Sequence, residues 1–200
     1  MARENGLKNQ HMRARIAAAA ARMIAEDGID DYALAKRKAA RQLGAETTHA
    51  LPGNDEVEEA LRAYQELYQS DEQPELLLEL RETALEIMEA LADFRPYLRG
   101  AVLSGTAGRY SPIELQLFTD DTKALEIFLL DRRIPFEASD RRGPGEDRNI
   151  GLLRLEWDGV PVVLSVYTAN DERMAIKLAS GARMERANTA AVRQLLQSEQ

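Results

Sequence analysis

The residues of this chain whose types and spacing could do chemistry lie between Gly105 and Asp121. Glu114 and Gln116 stand two apart in the apolar run 113-IELQLF-118. Strand periodicity puts them on one face with Phe118, and Ile113, Leu115 and Leu117 on the other. A buried sheet face with a cleft-facing polar pair is what a phosphoryl-transfer site on a sheet needs, and a carboxylate there can hold a hard divalent cation. Just upstream, Gly105-Thr106-Ala107-Gly108 is a turn of small side chains whose backbone N–H groups could approach a phosphate closely, with Arg109 as a further phosphate contact. Asp120 and Asp121 follow the strand. They are candidate metal ligands beside Glu114 or, standing before a helix, N-caps. No cofactor is required by this pattern; Mg or Mn is expected only if Glu114 is a working metal ligand. The plainer reading of the same stretch is a strand pair with one solvated side.

A second cluster is basic. Lys36, Arg37, Lys38 and Arg41 lie on the helical segment 31-DYALAKRKAARQL-43. Four cations on one helix can meet phosphates without reading sequence; equally, they are a solvated face with Lys and Arg near a helix C-terminus. Arg132, Arg133, Arg141, Arg142 and Arg148 flank a charged Gly/Pro-rich loop at 140–148 and offer further phosphate contacts or simple solubility. The few aromatics form no stacking stripe of the kind that binds single strands. His11 and His49 are far apart and read as surface residues, and with no cysteine there is neither a disulfide nor a thiolate site.

The chain of 200 residues is long enough for one large domain or two small ones with a real core. No apolar run approaches the length of a membrane span, and 16-IAAAAARMIA-25 reads as a helix, not a signal peptide. A cytoplasmic protein is expected. The net charge of −8 is unevenly spread: residues 1–45 carry nine Lys/Arg against five Asp/Glu, and residues 46–93 carry two against fourteen. The acidic middle disfavours broad adhesion to nucleic acid, and the basic head leaves a local contact open.

Helices are predicted over 9–27, 31–43, from an N-cap at Asn54 through Tyr68, and over 75–93. The period then changes. Strands fit 100-GAVLSG-105 and 113–118, a helix fits 122–133, and a short strand fits 135–139. Asp158-Gly159 joins strands 150–157 and 160–167 as a hairpin. The stretch 171–198 reads as helix, broken near Gly181 and restarted after Asn188. The expected fold class is α+β: a helical N-terminal region, 1–72, followed by a small mixed or antiparallel sheet with flanking helices, 73–200. The amphipathic N-terminal helices offer a surface for a homodimer.

This order of elements resembles the nucleotidyltransferase superfamily of the DNA polymerase β type. Its members show a helix, a strand ending in Gly-Ser, an Asp-x-Asp strand about ten residues on, and a third acid on a later strand. Here helix 75–93, Gly105-Thr106, Glu114-Leu115-Gln116 and Ser165 in 162-VVLSVY-167 stand in those places. The resemblance implies a nucleotidyltransferase-like domain over about 75–170. Of the matched acid positions only Glu114 is charged, so it implies a catalytically degenerate member that binds a nucleotide or RNA end, or acts as a regulatory partner. The alternative it leaves is an active metal-dependent enzyme using Glu114 with Asp120 or Asp121. Residues 21–44 separately resemble the start of a tetracycline-repressor-type helix-turn-helix, which implies a nucleic-acid-binding regulator. That match ends at Gly44, because Pro52 and Gly53 fall where a recognition helix should run.

Overall fold

The computed structural model describes residues 2–29, 31–45, 51–142, 149–174 and 185–198. They form two compact units, one comprising the chain up to Leu77 with Thr106–Ser111, the other Leu78–Gly105 and the chain from Pro112. The class is α+β.

The first unit is helical: α1 (Ala2–Asp27), α2 (Tyr32–Gln42), α3 (Asn54–Tyr68) and the first turn of α4 (Gln73–Ala90). Helix α1 starts well before the expected Asn9. Asp31 is not the first residue of α2 but its cap, its Oδ1 accepting from the amides of Ala33 (2.7 Å) and Leu34 (3.1 Å). The expected cap at Asn54 also moves by one. Gly53 takes that place, its amide donating to Glu56 Oε2 at 2.6 Å. Glu56 is held in turn by Arg13 of α1, whose Nε lies 3.1 Å from Oε1. The core here is Ile16, Ala17 and Ala20 of α1, Ala35, Ala39 and Ala40 of α2, and Val57 of α3.

The second unit is built on a six-stranded sheet in the order β3-β4-β5-β2-β1-β6. Its elements are β1 (Tyr97–Arg99), α5 (Gly100–Ser104), β2 (Ile113–Phe118), α6 (Thr122–Asp131), β3 (Phe136–Arg142), β4 (Asn149–Trp157), β5 (Val160–Tyr167), β6 (Ala187–Asn188) and α7 (Thr189–Ser198). Strands β2 and β5 run parallel and every other pair is antiparallel, so the sheet is mixed. Asp158 and Gly159 both take positive φ, 49° and 86°, the geometry that two-residue hairpins favour.

Two expectations fail in this unit. Residues 100–105 are not a strand: the strand is Tyr97–Arg99, and Gly100, at φ 71°, turns the chain into the short helix α5. That helix is stabilised from outside. Buried Arg81 of α4 donates through Nε to the carbonyl of Val102 (3.0 Å) and through Nη2 to that of Leu103 (3.2 Å), both in the last turn of the helix. The expected helix over 171–198 fails at its described start and at Ala187–Asn188, and restarts after Asn188 as expected. A 3-10 turn at Ala169–Arg173 and the two residues of β6 precede α7, whose first turn is capped by Asn188 Oδ1 at 2.9 Å from the Ala191 amide. The expected break at Gly181, His49 and Arg148 lie outside the described residues.

Candidate functional site

Strand β2 is central, and its neighbours assemble the site row by row. Register sets Arg99 of β1 beside Glu114, and Tyr97 beside Gln116. On the other side, Gln116 is paired with Ser165 of β5 and Phe118 with Tyr167. Registered partners share a face, so the three positions matched to superfamily acids, Glu114, Gln116 and Ser165, are on one face of the sheet. Ser165 thus lies directly beside Gln116. The expectation of a solvated face fails, however: Gln116 is fully buried and Ser165 is 8% exposed. A carboxylate at either place would lose its hydration, at a cost of several kcal/mol without a counter-charge. Neutral side chains are what such burial tolerates.

Glu114 has a cationic partner. Arg99 Nη2 lies 3.2 Å from Glu114 Oε2, with 23% and 30% of the two side chains exposed. The carboxylate also lies against the backbone of Gly100. A Cβ there would fall 2.9 Å from Glu114 Cδ and displace the carboxylate, and the φ of 71° favours glycine.

Beside this row is a second cluster that sequence reading missed. Tyr97 donates its hydroxyl to Glu172 Oε1 at 3.0 Å, and Arg95 Nη1 lies 2.8 Å from Glu172 Oε2. Arg186 donates to the Glu172 carbonyl. Its guanidinium also lies 4.6 Å from the Tyr97 ring centroid and 5.0 Å from that of Phe118. Tyr97 meets Phe118 edge to face, and Phe118 stacks on Tyr167, both at 5.5 Å. Burial, then the bond to Glu172, raises the Tyr97 hydroxyl above its usual pKa. Burial alone would raise Glu172 as well, but the bonds from Arg95 and Tyr97 and the charges of Arg95 and Arg186 outweigh it and hold the carboxyl below its usual range.

The glycine turn is arranged differently from the expected phosphate cradle. Gly105, at φ 85°, ends α5 with its amide donating to the Ala101 carbonyl at 3.0 Å. The Gly108 amide donates to Ser111 Oγ at 3.0 Å. Thr106 is buried, its carbonyl accepting from Gln65 Nε2 at 3.0 Å, and the Ala107 carbonyl accepts from Gln73 Nε2 at 3.2 Å. Both glycine amides are thus engaged within the protein. The cavity beside this turn, lined by Gly28, Leu61, Gln65, Thr106 and Tyr110 among others, is about 20 Å³, room for a water and not for a nucleotide. Arg109 is exposed, 3.8 Å from Glu72.

The remaining candidates disperse. Asp121 Oδ1 accepts from the Ala124 amide at 2.9 Å and caps α6, while Asp120 Oδ1 accepts from the Ala169 amide at 3.1 Å. Among the described residues no group of three or more histidines or carboxylates could hold a metal ion, so Glu114, Asp120 and Asp121 are not brought together as one. On α2, Arg37, Lys38 and Arg41 are exposed, but Lys36 is drawn to the start of α3, its Nζ 3.0 Å from the Pro52 carbonyl and 2.8 Å from Asn54 Oδ1. Helix α3, where a second DNA-contacting helix would be sought, carries five acids and only Arg62 as a base. Arg132 rests over the Phe128 ring, 3.8 Å from its centroid. Among the described residues no helix is long and apolar enough to cross a membrane. No protein-family model matches this chain, and no curated protein matches it in sequence.

Proposed function

We propose that this chain is a nucleotidyltransferase-like protein that binds without transferring, with a nucleotide or an RNA end as its ligand class or a larger partner that it regulates. One observation carries the reading: the three acid positions share a face, yet hold one carboxylate, and that carboxylate is ion-paired to Arg99. A two-metal clamp needs several anionic oxygens around the ions. Buried Gln116 and Ser165 offer none, and Asp120 and Asp121 are engaged at backbone amides. Gly100, directly after β1, lies against the Glu114 carboxylate.

The test is a label-transfer assay with each of the four nucleoside triphosphates, with Mg or Mn, on wild type and Glu114→Gln. No transfer by either protein is expected. Metal-dependent transfer that disappears in Glu114→Gln would replace this reading with an active enzyme. A nucleic-acid-binding role through α2 keeps the exposed Arg37, Lys38 and Arg41 in its favour. Charge reversal at Lys38 and Arg41 would then weaken binding and flatten its salt dependence.

A further inference from the structure

We propose that Arg99 and Arg186 form a metal-independent anion site on the sheet face beside Glu114, suited to a phosphoryl group. The register of β1 with β6 pairs Tyr97 with Asn188 and Leu98 with Ala187. One step further sets Arg99 opposite Arg186. Directly opposed residues of an antiparallel pair have Cβ atoms about 5 Å apart, and like charges there repel. Both guanidinium groups belong to the same face. Arg99 reaches Glu114, and Arg186 lies over Tyr97 and Phe118, the next residues of that face on β1 and β2.

Each guanidinium also has a donor to spare. Glu114 is paired with Nη2 of Arg99, and the Glu172 carbonyl takes Nη2 of Arg186. Arg99 Nε and Arg186 Nη1 are left buried with no acceptor among the described residues. A buried donor without an acceptor is costly, and more so on a charged group. Two such donors on adjacent opposed residues ask for a shared acceptor. The row of Glu114 runs on through Val163 to the opposed pair Arg154 and Glu137, so the two spare donors, not a net charge of the face, are what select an anion.

A phosphoryl group meets these demands. It supplies several acceptor oxygens and negative charge, and the planar guanidinium fork matches it with paired N–H groups. Arg99 and Glu114 keep part of their side chains in solvent, while the two spare donor atoms are themselves buried, so a ligand would reach them past that exposed edge. The site stands on this geometry alone; only the naming of a nucleotide as the phosphoryl carrier rests on the reading above.

The experiment titrates inorganic phosphate, pyrophosphate and ATP into the full chain in EDTA, followed by calorimetry and thermal midpoint. Pyrophosphate and ATP are expected to bind and raise the midpoint. Arg186→Gln should weaken pyrophosphate about tenfold or more, as loss of a charge-assisted hydrogen bond does. Arg99→Lys keeps the charge, loses the fork and should weaken it less. Glu114→Gln should tighten it, because a repelling carboxylate is gone. The glutamate variant keeps the test decisive if the Arg186 variant does not fold. Absence of any binding by wild type, or unchanged pyrophosphate affinity in Arg186→Gln and Arg99→Lys, overturns the proposal. Pyrophosphate bound but ATP refused upholds the anion site and removes the nucleotide reading. ATP bound equally by wild type and both arginine variants removes this site and leaves that reading standing.

Discussion

The core of the helical unit is mostly alanine, with Ala17, Ala20, Ala21, Ala35, Ala39 and Ala40 joined by Ile16, Val57 and Leu61. That of the sheet unit is made of branched and longer chains, among them Ile87, Met88, Leu98, Ile113, Leu115, Leu117, Leu125, Leu129 and Leu164. The two solve one problem with different means. Methyl groups let helix axes approach closely but bring little apolar area each, whereas a buried Leu contributes about 1.5–3 kcal/mol. The helical unit adds fixed polar ties, such as Arg13 with Glu56 and Lys36 with Asn54. A core of alanines has no room to gain, and a core of leucines has volume to lose, so opposite changes in side-chain size should each be destabilising, enlargement in the first and truncation in the second.

The largest effect is expected from Leu115→Ala. This fully buried residue of β2 should cost about 2–5 kcal/mol through lost transfer energy and the cavity left behind. Native-state amide exchange, read residue by residue, checks where protection is lost. Loss confined to the sheet unit sharpens the comparison; equal loss throughout breaks it. A smaller effect, about 1–3 kcal/mol from overpacking, is expected for Ala20→Leu, with exchange in α1 and α2 as its readout. If that variant is instead more stable, the alanine core contains space and the contrast drawn above is mistaken. The smallest effect is acid sensitivity at Glu172. Its folded pKa is depressed, so its contribution is present above the ordinary glutamate range and is lost as pH falls through the lower folded value. Arg95→Gln should flatten that part of the stability profile, and high salt should do so partially, since 23% of the Glu172 side chain is exposed. An unchanged profile in Arg95→Gln would remove the ion pair from this account.

How far the sequence could be read varies with how local each determinant is. The Asp158-Gly159 hairpin, the cap at Asp121 and the restart after Asn188 depend on a few adjacent residues and were legible. The run Gly100–Ser104 was not: Ala-Val-Leu is apolar in either conformation, and five residues are too few to show a period. What selects the helix is Arg81, which meets the Val102 and Leu103 carbonyls from another element. The same holds for the site. Glu114 and Gln116 were visible from spacing, and Ser165 from element order. The burial of Gln116 and the pairing of Arg99 with Glu114 depend on register between strands. The alternation of Tyr97 and Arg99 was the one local hint of a polar strand face there. Arg186 joins that face from the far end of the chain, and no motif announces it.

The sheet's two margins have a consequence for how the protein behaves at high concentration. One margin is β6, only two residues long, and the other is β3, which reads Phe-Glu-Ala-Ser-Asp-Arg-Arg. An outermost strand is a template on which another copy can add a strand, and short length and dense charge both frustrate that growth. Neutralising the exposed Glu137 would leave the fold's interior untouched. It would, however, convert a guarded border into one along which molecules could polymerise.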